Sequence, residues 1–140
     1  MPMSDRLVMS QPLADLMVVA TIIEKIESDC DNKKYLRAQA GYHLQQAAEK
    51  LIKIQLYNCG IQIRNDKIYK HSISELIEYG ESIGAKLLIP EYVITNAEII
   101  TGWEAEGRYD VHVVVRIDRI KKTYEVINEW FEELKKVGYK

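Results

Sequence analysis

Cysteine is scarce in this chain of 140 residues: Cys30 and Cys59 are its two, 29 positions apart. With no second pair there is no four-ligand metal set, so no metal is expected, and reduced structural thiols in a cytoplasmic protein are the reading. Long apolar runs are absent too. No stretch approaches the roughly 18 apolar residues that a membrane span needs, and the opening "MPMSDRLVMS" has no apolar run behind a basic region to serve as a secretion signal. A formal charge of −2 excludes a global attraction to nucleic acid and leaves only a local basic patch. Signatures of common chemistry are missing: no Gly-rich phosphate loop, no HExxH, no CxxC and no Gly-x-Ser-x-Gly. No cofactor is expected.

What is present is helical periodicity. Hydrophobic residues make up 47% of the chain and charged ones 29%, which argues for one folded domain over residues 1–140. The three prolines, at 2, 12 and 90, each stand where a helix would begin rather than inside one. From Leu13 to about Ser28, Leu13, Leu16, Ala20, Ile23 and Ile26 recur at helical spacing. A second helix is predicted from about Lys34 to Asn58, with Gly60 as its stop. "HSISELIEYG" opens a third, in which Ser72 and Glu75 have capping-box spacing. A fourth follows Pro90 to about Arg108 and is expected to bend near Gly102. The last, about Val115 to Val137, carries Ile117, Ile120, Tyr124, Ile127, Phe131 and Leu134 in steps of three and four. "IQIRNDKIY" (61–69) reads as a structured loop, with a small hairpin as the alternative. Four long helices plus a shorter one, joined by mostly short loops, argue for an all-α antiparallel bundle.

The segment "YHLQQAAEKLIK" (42–53) raises the functional question. At about 100° per residue, Leu36, Ala40, Leu44, Ala47, Ala48, Leu51 and Ile52 share one broad arc. Gln45 lands at its edge, Glu49 one step further round, and Gln46 with Lys53 opposite its centre. Residue chemistry leaves two accounts open. One is a solvated flank with a single boundary glutamine and a Glu49–Lys53 surface pair. The other is a partly buried polar groove lined by Gln45 and Glu49, whose groups would then need partners.

"YHLQQAAEKLIKIQLYNCG" resembles the second helix of the HEPN family (higher eukaryotes and prokaryotes nucleotide-binding domain), whose members carry a Gln-Gln-Ala-Ala-Glu-Lys segment there. "HSISEL" (71–76) is similar to the start of that family's third helix, and "EGRYD" (106–110) to its Arg-Tyr element after the fourth. With the amphipathic last helix, the matches fall in family order over about residues 13–137, behind a lead-in of 1–12. The resemblance implies an up-and-down HEPN-like bundle, a homodimer, and a nucleotide or RNA ligand. It further implies a small nucleotidyltransferase as partner, in a toxin–antitoxin-like system. It assigns ligand binding to Gln45, Glu49, His71, Arg108 and Tyr109.

Catalysis is a separate matter. HEPN ribonucleases place four to six residues between an arginine and a histidine, the histidine for proton transfer and the arginine for the phosphate. Arg108 and His112 in "RYDVH" are the candidates here, with three residues between them. The short spacing favours a non-catalytic module. A metal-independent endoribonuclease using Arg108 and His112 is the alternative, with Arg108 as a helix cap and His112 as a loop residue if neither reacts. Arg37 and His43 have the literal spacing, but within one helix their side chains diverge by about 120°, and the match reads as coincidence. The nine tyrosines and Trp103 read as core or interface residues rather than base-stacking platforms.

The last helix also bears on assembly. Val126, Trp130 and Val137 lie off its seam, and with Trp103 and Tyr109 they are expected to form an exposed patch that a two-fold dimer covers. Such a dimer would bring together the charges of Arg108 and His112 as an anion site. A helical oligomerisation scaffold is the third reading.

Overall fold

The computed structural model describes residues 7–28, 33–60, 72–109 and 115–140, with 105–109 described by backbone only. Among these residues the fold is entirely helical: α1 Ser10–Glu27, α2 Lys33–Tyr57, α3 Ile73–Ser82, α4 Glu91–Thr95, α5 Ala97–Tyr109 and α6 Ile117–Lys136. The 61–69 segment lies outside the described residues, as do Cys30 and the acidic–polar stretch around it. No helix is long and apolar enough to cross a membrane.

The central element is α2, which packs against α1, α3, α5 and α6. Its predicted arc is buried at Ala40, Leu44, Ala47, Ala48, Leu51 and Ile52, with Leu36 half-buried at the start of the helix. The helix ends at Tyr57, and Gly60 follows in the left-handed region at φ 75°, which costs glycine nothing. Ser72 caps α3 as its spacing predicts, its Oγ accepting from the Glu75 N–H at 3.3 Å. The first N–H of α3, at Ile73, donates to Thr101 Oγ1 of α5 at 3.1 Å, which fixes the two helices together.

Two expectations about single helices are corrected. The fourth helix bends at Asn96, where α4 gives way to α5, and runs unbroken through Gly102. On α1 the buried stripe is Pro12, Asp15, Leu16, Val19, Ile22 and Ile26, which leaves Leu13 exposed. "LADLMVVATII" is apolar almost all round, so periodicity alone does not choose its inner face; the buried Asp15 does, through partners on α2 described below.

On α6 most of the predicted seam is buried, at Ile120, Ile127, Phe131 and Leu134, joined by Thr123 and Trp130, while Ile117 and Tyr124 are half-buried. Among the described residues the exposed aromatic patch is not there, and the Tyr109 side chain lies outside them. Trp103 is 4% exposed and Trp130 1%, both within their own chain, and Val126 is half-buried, which leaves Val137 exposed. Trp103 lies in the core because Gly41 lets it approach α2, and a Cβ on Gly41 would stand 3.1 Å from Trp103 Cγ. Trp130 is drawn inward by a hydrogen bond from its Nε1 to the Leu88 carbonyl at 2.8 Å.

The two mid-helix glycines should therefore respond oppositely to a side chain. Gly41→Val forces the Trp103 ring off α2 and is expected to destabilise by about 2 kcal/mol. Gly102→Ala meets open space and should stabilise by about 1 kcal/mol through helix propensity. Urea denaturation of both variants checks this; shifts of the same sign would refute the packing argument.

Candidate functional site

The polar residues of α2 form one connected row. Gln45 is fully buried at 0% exposure and Glu49 is buried at 4%. Gln45 Nε2 donates to Glu49 Oε1 at 3.2 Å, one helical turn on. Lys53, the next turn, is also buried and places Nζ 3.4 Å from Glu49 Oε2. Gln46 Nε2 donates to Gln45 Oε1 at 2.7 Å. Gln45 and Glu49 make further interactions besides these. Burial leaves such groups no water to fall back on, so the row persists because each member is satisfied.

A second cluster adjoins it on the side facing α1. The buried carboxylate of Asp15 takes His43 Nδ1 at 2.8 Å on one oxygen and Lys50 Nζ at 2.7 Å on the other. A carboxylate only accepts, so the shared proton sits on Nδ1 and the imidazole presents Nε2 on its other side. His43 and Lys50 are half-buried, and Tyr42 packs edge-on to the imidazole at 5.2 Å between centroids. Gln46 lies between His43 and Lys50 in helical register, three residues after one and four before the other. The half-buried edge of α2 thus offers an imidazole, an ammonium and a carboxamide side by side, backed by the buried Gln45–Glu49–Lys53 row. Together they can donate to an anionic oxygen and pair with the polar edge of a planar ligand.

Of the residues singled out from sequence, Gln45 and Glu49 are brought together as a hydrogen-bonded pair, and the solvated-flank account is set aside. Gln46 and Lys53, expected opposite the buried arc, are half-buried and buried. The reason is that α2 has neighbours on several sides, so an arc computed for one buried face understates its burial. Arg108 and Tyr109 lie on the last turn of α5, which packs against α2; their side chains, and His71 and His112 altogether, are outside the described residues. His43 is committed to Asp15, which gives it a role unconnected with Arg37. Sequence reasoning missed Asp15, His43 and Lys50. The available signal was Asp15 itself, an acidic residue in phase with Pro12, Leu16 and Val19, where a lone carboxylate would be costly. Among the described residues no group of three or more His, Cys, Asp or Glu is placed to hold a metal ion.

Comparison with protein-family models, curated proteins and solved structures finds no match to this chain.

The row implies an asymmetric cost. Glu49→Ala strands the buried ammonium of Lys53 and is expected to destabilise by about 3 kcal/mol. Glu49→Leu combined with Lys53→Met removes both charges at similar volume and should recover most of that loss. Chemical denaturation of the single and double variants decides it; a double variant as unstable as Glu49→Ala would show that the Glu49–Lys53 pair is not what Glu49 supports.

Proposed function

We propose that this protein is a homodimeric nucleotide- or RNA-binding module of HEPN type, without catalysis of its own, that works beside a small nucleotidyltransferase. The observation that carries this reading is the hydrogen-bonded unit of Gln45, Gln46 and Glu49, the polar residues of the Gln-Gln-Ala-Ala-Glu-Lys segment through which the chain resembles that family. The segment is a buried Gln45–Glu49 pair beneath the half-buried Gln46 and Lys50 rather than a solvated helix flank. Its chemistry suits the ligand: the half-buried Gln46 carboxamide both donates and accepts, as base edges require, Lys50 supplies a donor for phosphate oxygens, and His43 Nε2 offers an acceptor. Arg108, on the last turn of α5, is assigned the further phosphate contact. The three-residue separation of Arg108 and His112 supports binding over cleavage.

Dimerisation takes a different surface from the aromatic patch read from sequence. The outward face of α1 carries Leu13, Met17, Val18 and Thr21, exposed and without a charge among them. Met17 alone is 63% exposed. A two-fold axis brings a surface against its own copy, so a face free of charge meets no repulsion there.

Binding is tested with a fluorescein-labelled oligouridine and with labelled ATP. Saturable binding is expected, weakened about tenfold by Gln46→Ala or Arg108→Ala, or about 1.4 kcal/mol, with both variants still folded by circular dichroism at the assay temperature. Absence of binding to either probe would remove the reading, and RNA cleavage in EDTA abolished by His112→Ala would replace it with the ribonuclease. Light scattering should give about twice the chain mass of 16.2 kDa, falling to the monomer in Met17→Lys. A wild-type monomer at all concentrations would refute the dimer.

A further inference from the structure

Between α3 and α4 the chain runs through Ala85–Pro90 without regular structure, and one residue of it is held from both sides of its backbone. The Leu88 N–H donates to Gln55 Oε1 at 2.7 Å, and the Leu88 carbonyl accepts from Gln55 Nε2 at 2.9 Å and from Trp130 Nε1 at 2.8 Å. One carboxamide reaches both groups only if they point the same way, as in an extended residue paired within a sheet. Gln55 thus plays the part of a neighbouring strand. Ile89 precedes Pro90 and is restricted to extended backbone as well.

The planar trans peptide then fixes what faces the other way. The Leu87 carbonyl lies opposite the Leu88 N–H, and the Ile89 N–H lies opposite the Leu88 carbonyl. Both therefore point away from Gln55. Among the described residues neither has a hydrogen-bond partner. An acceptor and a donor flanking one extended residue are what a sheet edge presents to an added strand.

Two hollows adjoin this edge and share Ile89 in their walls. One, of about 170 Å³, is walled by Leu88, Ile89, Pro90, Val126 and Trp130 and carries Glu129 and Glu133. These two carboxylates are exposed, one turn apart on α6, and among the described residues neither is in an ion pair. An apolar wall with two unpaired carboxylates fits the aliphatic stem and cationic head of arginine or lysine. The other hollow, of about 280 Å³, is walled by Ile77, Ala85, Leu87, Ile89 and Ile94 with Glu81 and Lys86 beside them, and suits an aliphatic side chain.

We propose that the Lys86–Pro90 segment is a strand-addition site for an extended peptide in which a basic residue and an aliphatic residue alternate along one face. The backbone edge supplies the main-chain bonds, and the two hollows select the side chains. Charge decides the occupant: a second copy of this chain would bring the same Glu129 and Glu133 to the contact, whereas a basic segment neutralises them. The site lies apart from the Gln45–Glu49–Lys53 row, and Gln55 of the same helix holds its backbone.

The probe is a capped, fluorescein-labelled peptide, Arg-Thr-Leu-Thr-Arg-Thr-Leu, compared with the same peptide carrying proline for threonine. Anisotropy should show saturable binding for the first and none for the second, which lacks those backbone N–H groups. Amide exchange should slow at Ile89 by about tenfold in the complex while Leu88, already bonded to Gln55, changes little. The exposed double substitution Glu129→Gln with Glu133→Gln should keep the thermal midpoint and weaken binding by about fivefold. No saturable binding, an Ile89 amide indifferent to the peptide, equal binding of the proline peptide, or affinity unmoved by the double substitution would each overturn the proposal. Self-association that protects Ile89 without peptide would overturn it in favour of a second copy.

Discussion

The structure depends on one constraint: α2 is enclosed by α1, α3, α5 and α6 while carrying Gln45, Gln46, Glu49, Lys50, Lys53 and Gln55 along its length. An apolar helix in that position could slide or rotate among its neighbours at modest cost. A polar one cannot, because each buried group left without a partner costs about 1–3 kcal/mol. Every side chain of the row therefore acts as a registration point. Asp15 sets the rotation of α1 against α2 through His43 and Lys50. Gln55 sets the chain before α4 through the Leu88 backbone.

The same constraint explains the two tryptophans. Trp103 lies against α2 because position 41 has no side chain, and one turn further on the Gln45 carboxamide is fully buried. Trp130 is buried with its indole N–H satisfied by the Leu88 carbonyl, the atom that Gln55 also uses. Burial of a large aromatic with a polar handle requires such an acceptor. Core, row and connecting segment are thus coupled, and a change at Gln55 would be felt at Trp130 on a different helix.

Surface chemistry is divided among the helices in a way that the core does not require. The outer face of α1 is uncharged between Ser10 and Thr21. Glu125, Glu129, Glu132 and Glu133 make part of α6 acidic, and the edge of α2 offers His43, Lys50 and Gln46. Three surfaces of different character can serve three different contacts: a like subunit, a basic segment and an anionic ligand.

The all-helical class, most helix ends and much of the inner faces of α2 and α6 were legible in the sequence, because periodicity and capping are local properties of the chain; the count was not, since the one helix expected after Pro90 is two, α4 and α5. Ser72 capped α3 and Gly60 followed the end of α2 for reasons that any short peptide would share. The polar row was legible as a question: Gln45 and Glu49 stood too near the core arc to be dismissed. What periodicity could not give was how many sides of α2 are covered, and hence the burial of Lys53. Nor could it show that Asp15 meets His43 and Lys50, 28 and 35 residues away, or that α1 turns Leu13 outward. Those outcomes are decided by which helices pack together, since the cost of an unpartnered buried charge is settled by a neighbour that the local sequence does not contain.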